Sequence, residues 1–176
     1  MRSSRALLTC AAIGALSGLL VIGLSPVTSA LALLSPPLYA LVASVHMLGP
    51  LLAAAWFRRP GAATLTALVS GLVALAATTL GPLLVLALVV PAAVMDLVLW
   101  AAGRRRDRVD AWVVTGLVGG AVIAAITIPV IDGRLLSPAL VALVAGARLL
   151  AVTAVALGAR ALAGRLSRAG LRPPPA

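Results

Sequence analysis

Six apolar runs, each about as long as a membrane-spanning helix, make up most of this sequence. A helix needs about 20 residues to cross the hydrocarbon of a bilayer. Runs of that length, bounded by charged residues, proline or glycine, occupy residues 6–24, 38–57, 62–80, 82–102, 111–131 and 138–159. The pattern predicts an all-α integral membrane protein. Residues 1–176 would form a single membrane domain, a bundle of six transmembrane helices.

The arginines predict how this bundle is oriented. All 14 basic residues are arginines, and those outside the runs flank alternate ends of the runs. The connections at the opposite ends of the runs contain one arginine, Arg134. Because positive charge collects on the cytoplasmic side, both termini are predicted to be cytoplasmic. Trp56, Trp100 and Trp112 fall at the same predicted ends, where indole rings favour the headgroup level. The flanking arginines are Arg2, Arg5, Arg58, Arg59, Arg104, Arg105, Arg106, Arg108, Arg160, Arg165, Arg168 and Arg172.

Composition excludes several classes of protein. A mean hydropathy of +1.18 with 62% hydrophobic residues indicates a multi-pass protein of the cell (plasma) membrane, in contact with lipid. The net charge of +10 does not predict nucleic-acid binding, because the arginines flank apolar runs and share no soluble face with aromatic residues. Cys10 is the single cysteine, so neither a disulfide nor a metal site is expected. No phosphate-binding loop or catalytic motif is present, and we expect no cofactor and no enzymatic activity.

Two features of the first third of the chain leave alternatives open. Two arginines, an apolar stretch and "TSA" at residues 28–30 resemble a cleavable signal peptide, although a run of about 19 residues is long enough to span the membrane. Residues 25–37 form the longest predicted outer connection and contain three prolines. This connection is predicted to be either a short lid over an outer site or an ordinary surface loop.

Three ionisable residues lie inside the predicted spans, where each is a candidate functional group. They are Asp96 in "PAAVMDLVLW", Arg148 in "VAGARLLAV" and His46 in "ASVHMLGP". A helical rise of about 1.5 Å per residue places His46 and Arg148 near the midplane, with Asp96 about one turn closer to the cytoplasm. The residues predict either an Asp96–Arg148 ion pair that joins two helices or a polar pocket that binds a ligand. For His46 a hydrogen bond to a neighbouring helix is the alternative.

Prolines and small residues add weaker indications. Pro91 precedes Asp96, and Gly49 with Pro50 follows His46, so each proline frees a backbone carbonyl near an ionisable residue. In the first run small residues recur four apart, a spacing that lets another helix approach closely. These pairs are Ala11 with Ala15 and Gly14 with Gly18.

The segment "WFRRPGAATLTALVSGLVAL" closely resembles a stretch of the YkoE family, in which a Trp-Phe pair is followed by a basic "RKPGAA" turn that opens a helix. That family comprises substrate-binding S components of energy-coupling-factor (ECF) vitamin transporters. "PAAVMDLVLWAAGRRR" looks like the family's fourth helix, and "LAGRLSRAGL" looks like its C-terminal tail. The resemblance covers most of residues 35–171.

The resemblance implies a subunit that captures a vitamin or precursor on the outer side, and it links the family to thiamine or its hydroxymethylpyrimidine moiety. Its implied partners are a transmembrane coupling subunit and two cytoplasmic ATPases. Asp96 matches the family's acidic position, and together with the intramembrane Arg148 and His46 it is predicted to form the binding region. Ala11 and Ala15 match the small residues through which S components contact the coupling subunit. The chain departs from the family pattern at Ala67, where an acid is frequent, and in offering only Tyr39 as an aromatic residue of the outer half.

Two other functions are compatible with the same residues. A membrane scaffold or accessory protein would use the buried polar groups only to hold helices together. An independent proton-coupled carrier would use Asp96 as a titrating relay and would need no ATPase.

Overall fold

The computed structural model describes residues 4–75, 77–78, 81–128 and 137–171. Helices make up nearly all of this part of the chain, and no strand occurs in it. In chain order the elements are α1 (Ser4–Leu34), α2 (Pro36–Ala43), a 3₁₀ turn (Ser44–Met47), α3 (Leu48–Phe57), α4 (Ala62–Leu75), α5 (Pro82–Ala101), a second 3₁₀ turn (Gly103–Arg105), α6 (Val109–Thr127) and α7 (Pro138–Arg168).

The predicted all-α membrane architecture is confirmed. Five segments of the described chain are long and apolar enough to cross a bilayer, with α2, the 3₁₀ turn and α3 together forming one of them, Pro36–Phe57. The third predicted span differs, because α4 has 14 residues, equivalent to about 21 Å. That length is less than the hydrocarbon thickness of about 30 Å. The cytoplasmic position of the termini stays a prediction.

The predicted outer connection at residues 25–37 is wrong. Helix α1 continues through Pro26 to Leu34, and Ser35 is the single residue between α1 and α2. A proline inside a helix removes one backbone hydrogen bond, here the one to the carbonyl oxygen of Ile22, and α1 continues nevertheless. The Thr28 hydroxyl donates to the carbonyl oxygen of Leu24 at 3.1 Å. Residues 25–37 therefore form neither a lid nor a surface loop.

Helix α1 packs closely on α4 through the predicted glycine pair. A Cβ atom on Gly14 would lie 2.8 Å from the carbonyl oxygen of Thr66, and one on Gly18 would lie 2.8 Å from the Cβ of Val73. Only a residue without a side chain fits at these distances. The small-residue pattern of Gly14 and Gly18 thus serves a contact inside the bundle, and it makes α1 an integral part of the fold.

Helix α7 packs on α6, on α3 and on both α2 and the 3₁₀ turn that follows it. Its approach to α6 is close, because a Cβ on Gly120 would lie 2.9 Å from the Cα of Leu149. This packing points Arg148 toward residues 36–57, the span that the first 3₁₀ turn interrupts. Large apolar side chains face outward on several helices, as expected for lipid contact. They include Leu8, Leu16, Leu33, Leu86, Leu97, Leu143 and Leu150.

Candidate binding site

A polar cluster with two buried and two half-buried members lies where the interrupted span faces α7. It consists of Tyr39 on α2, Ser44 and His46 in the 3₁₀ turn, and Arg148 on α7. We call these four residues the Arg148 cluster. A polar group in the interior of a membrane bundle is costly unless it has a partner or a function, so this cluster is the first candidate for a binding site.

Pro50 explains why the span is interrupted beside Arg148. A proline has no N–H, and its ring clashes with the carbonyl group four residues earlier, which here belongs to His46. The backbone relieves the clash by tightening into 3₁₀ geometry at Ser44–Met47. Gly49 permits the adjoining close packing, since a Cβ there would lie 2.6 Å from the Cβ of Ser17. The interruption places the side chains of Ser44 and His46 on the bundle interior.

Arg148 is almost fully buried, with 2% of its surface exposed, yet its contacts are few. Its Nη1 donates to the Ser44 hydroxyl at 3.3 Å, a long hydrogen bond. The Ser44 hydroxyl in turn donates to the carbonyl oxygen of Ala40 at 2.7 Å. The guanidinium carbon lies 5.2 Å from the centre of the Tyr39 ring, within cation–π range. Within the described chain the Nε of Arg148 has no hydrogen-bond partner.

Arg148 has no counterion among the described residues. The ion pairs in that part of the chain are Arg58–Asp107 at 3.3 Å and Arg108–Asp110 at 3.0 Å, both exposed. The fourth acidic residue of the sequence, Asp132, lies outside the described residues. The cluster therefore presents a buried positive charge whose described neighbours are neutral.

His46 was predicted to lie at the level of Arg148, and the fold brings the two together. His46 belongs to the turn that supplies Ser44, the hydrogen-bond partner of Arg148. The buried Nε2 of His46 has no hydrogen-bond partner in the residues the structure covers. A second polar group therefore lies in the turn that packs on α7.

Asp96 lies apart from the Arg148 cluster, so the predicted Asp96–Arg148 ion pair is wrong. Its Oδ2 accepts hydrogen bonds from the backbone N–H of Thr64 at 2.9 Å and from the Thr64 hydroxyl at 2.8 Å. Asp96 is five residues from the end of α5, or about 7.5 Å along the axis. The first turn of α4 carries free N–H groups and the positive end of the helix dipole, and it is the nearer partner for a carboxylate.

Arg106 organises the same end of the bundle. Its Nη2 donates to the carbonyl oxygens of Ala54 at 3.1 Å and Arg59 at 3.4 Å, near the end of α3. Burial lowers the pKa of Arg106, while the charges of Asp96 and Asp107 oppose that shift.

The tryptophans only partly follow the prediction that they lie at headgroup level. Trp112 is buried, and its Nε1 donates to the carbonyl oxygen of Arg106 at 2.9 Å. Its ring therefore holds the loop between α5 and α6 against the bundle. Trp100 is exposed, as expected for a residue at the membrane interface.

No metal site is evident in the described part of the chain, which contains no group of three or more His, Cys, Asp or Glu side chains able to hold an ion. Cys10 is buried among apolar residues on α1 and has no disulfide partner.

Sequence reasoning missed two of the residues that define these contacts. Ser44 and Thr64 are uncharged, and small hydroxyl residues in apolar runs commonly bond to their own helix. One signal was available for Thr64, because it follows the "RRPGAA" turn and so falls in the first turn of a helix. Tyr39 was noted as an aromatic residue of the outer half, without a partner.

A bundle of apolar helices with a buried cation beside an interrupted span is the architecture of a membrane transport protein. Residues 5–126, more than half of the chain, match the family described as "ABC-type cobalt transport system, permease component". The chain belongs to that family.

The fold is also similar to a solved structure described as "Crystal structure of an S-component of ECF transporter", with a TM-score of 0.86 and 18% sequence identity. The match covers 97% of this chain and 88% of the other. A comparison with curated proteins gave no match. The predicted S-component fold is confirmed, while the YkoE type and the relation to thiamine stay predictions.

Proposed function

We propose that this protein is the substrate-capturing S component of an ECF importer. It binds a small vitamin or precursor from outside the cell and delivers it through a complex with a transmembrane coupling subunit and two cytoplasmic ATPases. The observation that carries the proposal is the likeness to an S component over 97% of the chain. Membership of a transport-permease family supports it. The ATPases supply ATP hydrolysis, and this chain has no catalytic role.

The orientation in the proposal follows the arginines. The ends of α3 and α7 and the loop between α5 and α6 carry most of the described arginines, and this arginine-rich end would face the cytoplasm. The Arg148 cluster then lies in the outer half, because Arg148 is about 15 Å from the start of α7 and about 30 Å from its end. A solute arriving from outside would meet this cluster first.

We propose that Arg148 and His46, together with Ser44 and Tyr39, form the substrate-binding region. Asp96 was grouped with them by sequence, and the proposal gives it a different role. Its carboxylate is held by Thr64 at the start of α4, which is a structural contact.

The family description names cobalt, and the resemblance to YkoE proteins suggests thiamine or its hydroxymethylpyrimidine precursor. The described residues offer no cluster of metal-ligating side chains, which favours an organic solute over a metal ion. Thiamine and its hydroxymethylpyrimidine precursor are the first compounds to test in a binding screen.

For the partner surface we propose Ala11 and Ala15. Both are partly exposed on α1, beside the face that Gly14 and Gly18 bury against α4. Small side chains at this position would let a helix of the coupling subunit approach the α1 backbone.

Co-expression with a coupling subunit and its two ATPases tests the proposal. We expect the four chains to co-purify and, in liposomes, to import a bound solute only when ATP is present. A complex whose ATPases carry a substituted phosphate-loop lysine is the control and should bind without importing. Failure to co-purify would refute the proposal. Uptake by this chain alone, driven by a proton gradient, would identify it as an independent carrier.

A further inference from the structure

We propose that the transported solute carries a carboxylate and that Arg148 binds it. This inference rests on the proposed function, since it names the chemical class of the solute bound by the Arg148 cluster. It differs from the expectation that the resemblance raises, because thiamine is a cation.

The first argument is the uncompensated charge. Arg148 is buried, and guanidinium groups stay protonated in proteins. A charge in this position normally has a counterion, and the described chain provides none. An anionic solute would supply the missing charge when it binds.

The second argument is the geometry of the free donors. One Nη of Arg148 makes a long contact to Ser44, and its Nε has no partner in the described residues. The guanidinium carbon lies over the Tyr39 ring, 5.2 Å from its centre, and this contact satisfies no N–H donor in the way a carboxylate would. A planar carboxylate matches the edge of a guanidinium with two parallel hydrogen bonds. The Nε2 of His46, in the turn that packs on α7, is a further buried polar atom without a partner in the described residues.

The third argument concerns cationic solutes. Among the described acidic residues, Asp107 and Asp110 pair with arginines on the surface, and Asp96 accepts from Thr64 through Oδ2 while its Oδ1 has no partner in the described residues. None of the three forms an ion pair with Arg148. A cation would meet repulsion from the guanidinium with no described acid to offset it.

Binding measurements on matched pairs of compounds test the inference. The pairs are nicotinate with nicotinamide and pantothenate with panthenol, in which a carboxylate is replaced by a neutral group on nearly the same skeleton. Thiamine is the cationic comparison. We expect the purified protein in nanodiscs to bind at least one carboxylate about 100-fold more tightly than its neutral analogue, the range for an unpaired buried charge.

Variants assign the effect to Arg148. Arg148→Gln is expected to lower carboxylate affinity about 100-fold. Arg148→Lys keeps the charge and loses the planar fork, so it should retain part of the affinity. Arg165→Gln, at an exposed position on the same helix, is the control and should bind as the wild type does. Retained co-purification with the coupling subunit shows that each variant is folded.

Several results would overturn the inference. They are equal binding of carboxylates and neutral analogues, tighter binding of thiamine, or no binding of any carboxylate. A carboxylate affinity that appears only in Asp132→Asn would show that Asp132 is the counterion, which also overturns it.

The two proposals fail separately. A wild-type protein that co-purifies with its ATPases yet prefers a cation would leave the importer function standing without the carboxylate. A protein that binds carboxylates through Arg148 but assembles with no ATPase would leave the carboxylate inference standing without the importer function.

Discussion

Asp96 and Thr64 are joined by two hydrogen bonds to one oxygen, with the carboxylate Oδ2 accepting from both the backbone N–H at 2.9 Å and the hydroxyl at 2.8 Å. The acid belongs to α5 and the donors belong to the first turn of α4. Asp96 therefore acts as a helix cap supplied by another helix. The contact fixes where α4 begins relative to α5, directly after the "RRPG" turn.

Removing this cap should destabilise the protein. Asp96→Ala is expected to lower the free energy of unfolding by about 2 kcal/mol, because it leaves buried donors without a charged acceptor. Thr64→Val should cost about half as much, since the backbone N–H remains. Thermal unfolding in detergent measures both, and the double variant tests whether they are coupled. Asp110→Asn, in an exposed ion pair, should change little. An equal loss at both aspartates would contradict the capping role.

The glycine contact between α1 and α4 should be intolerant of a methyl group. Gly14→Ala and Gly18→Ala each place a Cβ closer than 3.0 Å to α4, and we expect a loss of about 1–3 kcal/mol. Gly23→Ala is the matched control, because nothing lies within 4 Å of a Cβ there. It should be neutral or stabilising by up to about 1 kcal/mol, the helix preference for alanine. The midpoint of thermal unfolding ranks the three variants, and the reverse ranking would refute the close contact.

Enlarging Ala11 or Ala15 should block assembly while leaving solute binding intact. Ala11→Trp and Ala15→Trp place a large ring on the partly exposed side of α1 and would prevent another helix from approaching. Ala121→Trp, at an exposed alanine of α6, is the control. Co-purification with the coupling subunit is the measurement. Normal assembly of the Ala11 and Ala15 variants would remove these residues from the proposed interface.

Pro50 should matter for binding more than for stability. Pro50→Ala restores a backbone donor and removes the clash with the carbonyl of His46, so α2 and α3 can join as one regular helix. Ser44 and His46 would then turn relative to Arg148. We expect the affinity for the solute to fall about tenfold, equivalent to 1.4 kcal/mol. The midpoint of thermal unfolding should not fall. Pro91→Ala, in α5, is the control and should bind the solute normally. A similar loss of affinity in both variants would argue against a local effect of Pro50 on the binding site.

The sequence predicted the membrane class and most of the helices, because long apolar runs and flanking arginines are direct consequences of the bilayer. It failed at residues 25–37, where three prolines indicated a loop. Helix α1 continues past Pro26, and the leucines and alanines that follow favour a helix.

The candidate site was predicted in part. Counting residues along each predicted helix placed His46 and Arg148 at the same depth in the membrane. In the structure, Arg148 donates to Ser44, which lies in the same turn as His46. The same arithmetic placed Asp96 within reach of Arg148, which is wrong. Position along a helix axis does not determine which neighbouring helix a side chain faces. For Asp96 the neighbour is set by the packing of α4 against α5, and the periodicity of the sequence does not reveal that packing.

Helix α7 contains Arg148 in its first half and Arg160 in its second half, and Arg160 donates to the carbonyl oxygen of Asp107 at 2.8 Å. No proline lies between the two arginines, and the helical rise separates them by about 18 Å. An uninterrupted helix transmits an axial shift along its length with little loss. A shift of α7 on binding would therefore reach the loop between α5 and α6, at the arginine-rich end that we propose faces the ATPases.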